Sequence, residues 1–437
     1  MTTLALVLVG FLAAQKPALP AADAAKFRTA FAEALADDSK SAKLVAQAKS
    51  LDAKYSLASL MEALRAGPKL PSGDPKPRTV GKTKEKFERF ADVTVGFTFA
   101  SGGDVFGYLV SVPKGYDPSK PAPLVLDPGH GSGAGKTLAG KASFTGYFRS
   151  SADDAGLEGA LVVRTEIIEQ LGTGGLREER PEDEVAAVFD DLFRDVLSRF
   201  AVDPDRIYAG GISQTGYWSW YLGRARPDRF AGIAPIASVS WHADRYLDCY
   251  ANLPVYVVHG DKDSKCNVEG PRKTTQLLKD LGFPVTYVEI ADGEHNGTVF
   301  GKMSKALTAL AKTPRDPWPK RVRRALLTTQ APHAYWVRVT KLAKEGDGLD
   351  ASPPVAHLDA RIEGQTVTIE SRGIASLELA LASELLDIGA PIEIVWNTKS
   401  VRSGVISASF ADAVEIALAK ADWRGAGPVK VALQAPR

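Results

Sequence analysis

The chain has 437 residues, with 54 basic and 52 acidic side chains, a formal net charge of +2 and a hydrophobic fraction of 45%. This length allows two or three domains and a large core. The near balance of charge gives no bias towards nucleic acid, and the basic cluster at residues 320–324 is interpreted as a solvated helix face rather than a phosphate-binding patch. No stretch is long and apolar enough to predict a membrane span.

The N-terminus carries an apolar run at residues 4–14, followed by Gln15 and Lys16, and this run has the length of a signal-peptide core. No lysine or arginine precedes it, and the small-residue cleavage pattern is imperfect. An apolar N-terminal helix is therefore the alternative. We expect residues 1–19 to be a signal peptide and the protein to be exported to the periplasm or the cell exterior.

Three regions are predicted after this leader. Residues 20–89 form a helical prefix with apolar side chains at helical spacing, followed by a proline-rich linker. Strands and helices alternate over residues 90–325, which predicts an α/β domain with a mostly parallel sheet covered on both faces. Residues 326–437 predict a smaller β-rich accessory domain. The main predicted elements are strands 123–126 and 206–209, helix 183–200, strands 253–258, 284–290, 334–339, 366–369, 392–396 and 404–407, and helix 411–421.

A serine lies between glycines where a predicted strand meets a predicted helix. Ser213 follows Gly211 by two residues and precedes an aromatic-rich helical stretch. In a nucleophile elbow, such a corner strains the serine backbone, exposes its hydroxyl and aims helix N–H groups at developing negative charge. The usual Gly-x-Ser-x-Gly spacing is broken, because Thr215 occupies the second glycine position and Gly216 follows it. The short motif is weak evidence alone, so the order of later residues decides.

An acid and a histidine follow at two later strand ends, in the order that such a site needs. A serine hydroxyl needs a neutral imidazole to accept its proton, and the imidazole needs a carboxylate that fixes its tautomer. Asp263 follows one predicted strand, and His295 lies in a glycine-flanked loop after the next. His242 is the rival base, but it precedes the acid. Asp261 and Asp292 are alternative acids, and Asp263 is favoured because its spacing lets the loop turn back towards the histidine.

The glycine-rich loop after the first core strand predicts part of an oxyanion hole. One donor is the backbone N–H of Gln214, directly after the serine, and the other is the N–H of Ser132, with Gly131 as the alternative. The Gly-Lys-Thr sequence at 135–137 is similar to a phosphate-binding loop. Its required first glycine would fall on His130, however, so nucleotide binding is not predicted.

These motifs, in this order, resemble the α/β-hydrolase superfamily, and in particular its polyhydroxybutyrate depolymerase-like, feruloyl esterase-like and phospholipase/carboxylesterase-like esterases. Prolyl oligopeptidase-type peptidases are near relatives that share the same core. The resemblance implies an α/β-hydrolase fold with Ser213 as nucleophile, Asp263 as acid and His295 as base. The segments that carry it are 108–117, 124–133, 202–208, 210–216 and 226–235, together with the loops that hold the acid and the base.

The expected function is hydrolysis of a carboxylic ester through an acyl-enzyme, on a small-molecule or polymer substrate. A serine peptidase with the same triad is the alternative, and a non-catalytic binding protein on a hydrolase fold is a more distant one. Trp241, Trp218 and His130 are the candidate substrate contacts, although helical spacing favours a core position for Trp218. No cofactor, metal site or nucleic-acid partner is predicted.

The two cysteines, Cys249 and Cys266, lie on either side of the strand that leads to Asp263. In an exported protein, they are candidates for a disulfide that would pin the loop of the acid. Two unpaired buried thiols are the alternative.

Overall fold

A computed structural model describes residues 16–73, 75–80, 83–84, 88–90, 94–129, 138–157, 159–171, 182–240, 242–329, 332–346 and 352–436. The predicted leader, apart from residues 16–19, lies outside these ranges, and so do His130, Gly131, Ser132 and Trp241. Among the described residues, no helix combines the length and the apolar character that a membrane span requires.

The N-terminal region is helical, as its apolar spacing predicts. Phe27 and Phe31 are fully buried on the first helix, and their rings lie 6.3 Å apart. The elements here are helices α1 (Ala21–Ala36), α2 (Ser41–Asp52) and α3 (Leu57–Arg65), followed by the antiparallel pair β1 (Thr79–Val80) and β2 (Thr83–Lys84).

A nine-stranded sheet forms the centre of the molecule, with strand order β11-β10-β9-β8-β6-β7-β5-β4-β3. The strands from β6 to β11 pair in parallel, and β3, β4 and β5 add antiparallel pairs at one side. This confirms the predicted α/β class. The elements are β3 (Glu88–Phe90), β4 (Thr94–Ser101), β5 (Asp104–Ser111), β6 (Ala122–Asp127), α4 (Leu138–Asp154), β7 (Leu161–Thr165), α5 (Ile167–Gln170), α6 (Glu182–Arg199), β8 (Val202–Ile212), α7 (Gln214–Ala225), β9 (Gly232–Ile236), β10 (Val255–Gly260), α8 (Glu269–Asp280), β11 (Val285–Ile290), α9 (Gly297–Phe300) and α10 (Met303–Leu310).

Side chains on the central strands alternate between two hydrophobic layers. On β6, Leu124 and Leu126 pack with Phe189 of α6 on one face, whereas Val125 packs with Met303 of α10 on the other. This period of two is the geometry of a strand that is covered on both faces. Each fully buried large apolar side chain contributes about 1.5–3 kcal/mol, so the sheet is a rigid platform for the loops at its edge.

The C-terminal region consists of two sheets that face each other across one core. Trp336 and Trp396 are fully buried in that core. Strands β12-β15-β16-β18-β19 form one sheet and β13-β14-β17-β20 the other. The elements are β12 (Arg321–Leu326), β13 (His333–Ala334), β14 (Val337–Leu342), β15 (Ala356–Glu363), β16 (Thr366–Arg372), β17 (Ile374–Leu381), β18 (Ile392–Trp396), β19 (Lys399–Gly404), α11 (Phe410–Lys420) and β20 (Val429–Gln434).

The predicted strand at 404–407 is wrong. Strand β19 ends at Gly404, whose φ of 118° takes the chain out of the extended conformation. Ile406 then packs into the core of the two sheets, while Val405 is exposed. The apolar residues of this segment therefore belong to a connection and not to a strand.

The helical prefix, the central sheet and α11 share one hydrophobic core. The rings of Phe27 and Phe410 lie 5.2 Å apart, and the ring of Phe31 meets that of Trp423 edge to face at 6.0 Å. The first and last parts of the chain therefore pack directly on each other.

Buried ion pairs add to this contact between the regions. Arg315 lies 2.8 Å from Asp205 on β8 and 2.8 Å from Asp422, directly after α11. Lys420 of α11 lies 2.8 Å from Asp228 of the central region. All five side chains are less than one tenth exposed, so these charges satisfy one another away from water.

The interpretation of residues 320–324 as a helix face is wrong, because most of this cluster lies on strand β12. Arg321 and Arg323 pair with the carboxylate of Asp359 on the neighbouring strand. Arg324 is buried and donates hydrogen bonds to backbone carbonyls at the end of α7. The cluster thus contributes to contacts within the fold.

Candidate active site

Ser213 lies at a sharp corner between β8 and α7. Its backbone has φ 56° and ψ −119°, a region that residues other than glycine rarely occupy. Gly211 passes so close to the next turn that a Cβ there would lie 2.1 Å from the carbonyl carbon of Thr215. The chain therefore needs glycine at 211, and the resulting strain leaves Ser213 partly exposed beyond the end of β8.

Thr215, which departs from the usual glycine, takes a direct part in this corner. Its Oγ1 accepts a hydrogen bond from the Ile212 N–H at 2.7 Å and donates one to the Ile212 carbonyl at 3.0 Å. The close approach expected of a glycine falls instead at Gly216, where a Cβ would lie 2.7 Å from the Cβ of Ser238. The hydroxyl of Thr215 therefore links the two sides of the elbow.

The loops after β10 and β11 approach each other through two glycines. A Cβ on Gly260 would lie 2.1 Å from the carbonyl oxygen of Gly293, and that oxygen also accepts a hydrogen bond from the Lys262 N–H at 2.9 Å. The two loops can approach this closely only because neither Gly260 nor Gly293 has a side chain. It holds the segment that carries Asp263 beside the segment that carries His295.

Asp263 and His295 are joined directly. Nδ1 of His295 lies 2.7 Å from Oδ2 of Asp263, whose other oxygen, Oδ1, accepts hydrogen bonds at 2.8 Å from the N–H groups of Lys265 and Cys266. Burial would raise the pKa of Asp263, but the hydrogen bonds from Cys266, His295 and Lys265 outweigh it and hold the pKa below its usual value. The buried carboxylate therefore stays charged, next to an imidazole that is 17% exposed.

Of the alternative acids, Asp292 is exposed and pairs with Lys262, whereas the carboxylate that binds His295 is that of Asp263. The ring of His295 also meets the ring of Phe300 edge to face, at 5.1 Å. The first turn after the histidine therefore supports its ring, a contact that the sequence analysis did not identify.

Cys266 connects the serine to the acid. The side chain of Ser213 lowers the pKa of the Cys266 thiol, while the N–H of Cys266 donates a hydrogen bond to Asp263. Burial raises the pKa of this thiol, as does the charge of Asp263, against the smaller opposing effects of the Ser213 side chain and the Val239 backbone. Ser213 thus has a neutral thiol for a neighbour, within the same cluster as the acid.

The disulfide considered for the two cysteines is not formed. Both are free thiols, and Cys249 lies instead 3.4 Å from the backbone carbonyl of Ala325. Its buried environment is the contact with β12, whereas Cys266 lies beside the elbow. The two cysteines flank the same strand in the sequence, but their sulfur atoms are not bonded in the structure.

The remaining predicted residues are placed in part. Gln214 is the first residue of α7, so its N–H lies at a helix N-terminus. Trp218 is buried and packs edge to face against Tyr217 and Tyr221, in agreement with the core position that its spacing favours. Its contact with a substrate stays a prediction. Within the described ranges, no group of three or more His, Cys, Asp and Glu side chains is arranged to hold a metal ion.

Comparison with known proteins found relatives in sequence and in fold, although no family model matches the chain. Acyl-protein thioesterase 1 of Neurospora crassa is 28% identical over 119 residues, which are 25% of this chain and 48% of that protein, so less than half of the relative is matched. A thermostable esterase superposes with a TM-score of 0.42 and 21% identity, over 52% of this chain and 64% of that one. A putative dienelactone hydrolase of Klebsiella pneumoniae superposes with a TM-score of 0.38 and 16% identity, over 51% of this chain and 96% of that one.

The topology of the central sheet identifies the fold. A strand order of β8 beside β6, β6 beside β7 and β7 beside the antiparallel β5 places the elbow of Ser213 at the end of a central strand. The two strands that lead to Asp263 and His295 follow in parallel on one side. This topology, together with this elbow, is that of an α/β-hydrolase fold.

Proposed function

We propose that this protein is a serine hydrolase that cleaves a carboxylic ester through an acyl-enzyme, with Ser213 as nucleophile, His295 as base and Asp263 as the acid that orients the base. The observation that carries the proposal is the 2.7 Å hydrogen bond between His295 and Asp263. It lies at the edge of the sheet where β8 presents the strained Ser213. The carboxyl ends of parallel strands meet at that edge, where ligands bind in open α/β folds.

The hydrogen bond fixes the chemistry of the imidazole. A carboxylate can only accept, so Nδ1 of His295 carries the proton and Nε2 keeps the lone pair. In the acylation step, Oγ of Ser213 bonds to the ester carbonyl carbon while its proton passes to Nε2. Collapse of the tetrahedral intermediate breaks the C–O bond of the ester, and the leaving alcohol takes the proton from Nε2.

The second half of the reaction repeats these steps with water. Water gives a proton to Nε2 of His295 and bonds to the acyl carbon, and the acid product leaves as Oγ of Ser213 recovers the proton. While the imidazole is positively charged, the ionised Asp263 stabilises it. The lowered pKa of Asp263 supports this role, since a protonated acid could not supply the charge.

The oxyanion of the intermediate needs backbone donors. The first donor that we propose is the N–H of Gln214, because this residue begins the 12-residue helix α7, whose N-terminus favours negative charge. The second donor that we propose is the N–H of Ser132 or Gly131, on the loop after β6. His130, Trp241 and Trp218 remain the proposed substrate contacts.

Labelling with a fluorophosphonate probe tests the nucleophile directly. The full-length protein should be labelled with one equivalent, and Ser213→Ala should abolish labelling and lower kcat on a p-nitrophenyl acyl ester on the order of a million-fold. Ser119→Ala is the matched control, because it makes the same change on the exposed surface and should leave both readouts unchanged.

A folded wild-type protein that neither takes the label nor turns over esters would refute the enzymatic proposal and favour a binding protein. A panel of acyl chain lengths, aryl esters and short peptide amides then separates the reaction classes. Turnover of esters without peptide cleavage is expected, whereas peptide cleavage at comparable kcat/KM would replace the esterase proposal with a peptidase.

A further inference from the structure

His259 is a buried histidine beside the acid that the proposed chemistry leaves unused. It lies near the end of β10, paired in register with Glu289 of β11, and its side chain is completely buried. Its Nε2 lies 2.8 Å from the backbone carbonyl of Cys266 and 3.5 Å from Oδ2 of Asp263. That carboxylate oxygen is the one that binds His295.

The partner of Nε2 identifies the tautomer. A backbone carbonyl only accepts, so Nε2 of His259 carries the proton and donates it to Cys266. Nδ1 is then the bare nitrogen, and it is buried without a hydrogen-bond partner among the described residues. Burial lowers the pKa of His259, against the raising effects of the bond to Cys266 and of the charge of Asp263, so the ring stays neutral at neutral pH.

The turn from Asp263 to Cys266 depends on this bond. The two N–H groups that hold Oδ1 of Asp263 belong to Lys265 and Cys266, and the carbonyl of Cys266 is the point at which His259 anchors them. If the anchor is removed, a partly buried carbonyl loses its partner. The turn can then rotate, and the carboxylate rotates with it.

We propose that His259 is a positioning residue, which fixes the orientation of the Asp263 carboxylate through the Cys266 turn. The inference rests on the proposed function, because it assigns a second histidine to the same site. A role as core filling alone does not account for the geometry. An apolar side chain would fill the space without leaving a buried Nδ1 unpaired. The donor on Nε2 is what an apolar residue could not supply.

Two substitutions separate the donor from the volume. His259→Phe keeps a planar ring and removes the donor, and we expect kcat on the p-nitrophenyl ester to fall about 10- to 100-fold with KM changed less than about threefold. His259→Gln keeps an N–H near the position of Nε2 and should restore kcat to within about fivefold of wild type. Melting curves of both variants verify that they are folded.

Wild-type kcat in folded His259→Phe would overturn the inference, and so would equal loss in the Phe and Gln variants, because volume alone would then explain it. Absence of fluorophosphonate labelling in the wild type would instead overturn the proposed function. Nitrogen NMR of the wild-type imidazole rings provides a test that is independent of folding in the variants. The Nε2–H tautomer of His259 is expected, and the Nδ1–H tautomer would contradict the proposed anchor.

Discussion

Asp263 and Asp422 are both buried carboxylates, but their partners differ in kind. Asp422 is held by the guanidinium of Arg315 through two hydrogen bonds, of 2.8 and 3.1 Å. Asp263 is held by two backbone N–H groups and by the imidazole of His295. Burial alone would raise the pKa of each acid, but in both the partners prevail and the pKa is lowered.

The difference lies in what the partner can do. Arginine keeps its charge at every relevant pH, so Arg315 and Asp422 form a static link between the central sheet and the C-terminal region. An imidazole can gain and lose a proton near neutral pH, and His295 is partly exposed to solvent. Under the proposed function, one buried carboxylate serves attachment at the interface, and the other serves an imidazole whose charge changes during the reaction.

The largest effect in this comparison is expected on kcat, from a change at Asp263. In Asp263→Asn, the amide would donate to Nδ1 of His295 and so place the proton on Nε2, which leaves no lone pair for Ser213. We expect kcat on an activated ester to fall about 10⁴-fold, while the melting temperature changes little. Steady-state kinetics and a melting curve on the same sample measure both.

The two rival acids provide matched controls, since Asp261→Asn and Asp292→Asn make the same chemical change nearby. Each should keep kcat within about threefold of wild type, because their effect on the base is indirect. If kcat fell as far in Asp261→Asn as in Asp263→Asn, the assignment of Asp263 as the acid would be contradicted.

The second-largest effect is expected on stability, from a change at Asp422. Asp422→Asn leaves Arg315 without one of its two buried carboxylates, and removing one partner of such a pair costs about 3–5 kcal/mol. The melting temperature should fall on the order of 10 °C, with kcat per folded molecule at 25 °C unchanged. Thermal unfolding followed by circular dichroism tests this.

The control for Asp422 is an exposed ion pair. Glu370 lies 2.8 Å from Arg361 and is 60% exposed, so Glu370→Gln should change stability by less than about 1 kcal/mol. Equal losses of stability in the two variants would mean that burial does not distinguish the two ion pairs.

Much of the proposed catalytic edge could be predicted from the sequence, because its residues follow strand ends in a fixed order. Ser213, Asp263 and His295 each come after an apolar run, and parallel strands bring such positions to one edge. The role of Thr215 could not be predicted. The motif shows that the usual glycine is replaced, but not which groups the threonine hydroxyl contacts. The proposed role of His259 could not be predicted either, because the turn whose carbonyl its Nε2 contacts is formed only in the folded chain.

The interface was harder to predict. Helical spacing shows that Phe27 and Phe31 face a core, but it does not identify Phe410 and Trp423, almost four hundred positions later, as their partners. Strand β12 did carry a local signal in the sequence, because Arg321-Val322-Arg323 alternates charged and apolar residues with the period of two of a strand. The structure shows the same alternation in burial. The density of charge alone favoured a helix face.

A smaller effect on kcat is expected from Thr215, which acts on the geometry of the elbow. Thr215→Val keeps the shape of the side chain but removes the hydroxyl that bonds to the Ile212 N–H and carbonyl. A slight shift of the elbow should lower kcat about tenfold. Thr215→Ser keeps the hydroxyl and should stay within about twofold of wild type. Valine with wild-type kcat would show that the elbow is held by the glycines alone.

The smallest effect tests whether the interface is fully static. His333 on β13 is half-buried and lines the same pocket as Lys420 and Asp228. Burial and then the charge of Lys420 lower its pKa to about 3. The folded pKa is thus below the unfolded value of about 6.5, so the unfolded state binds more protons between these values. Stability is therefore complete above about pH 6.5 and falls as the pH is lowered.

Replacing this ring should flatten that dependence. Because His333 is half-buried, we expect wild type to lose about 1 kcal/mol more than His333→Gln between pH 6.5 and 5.5. Urea unfolding at the two pH values measures the difference. The window lies above the range in which Asp228 and Asp422 take up protons, since the pKa of each is lowered from its usual value. A smaller loss in the variant would therefore identify the histidine as a titrating group at an interface otherwise held by permanent charges, whereas equal losses would leave that interface static in this range.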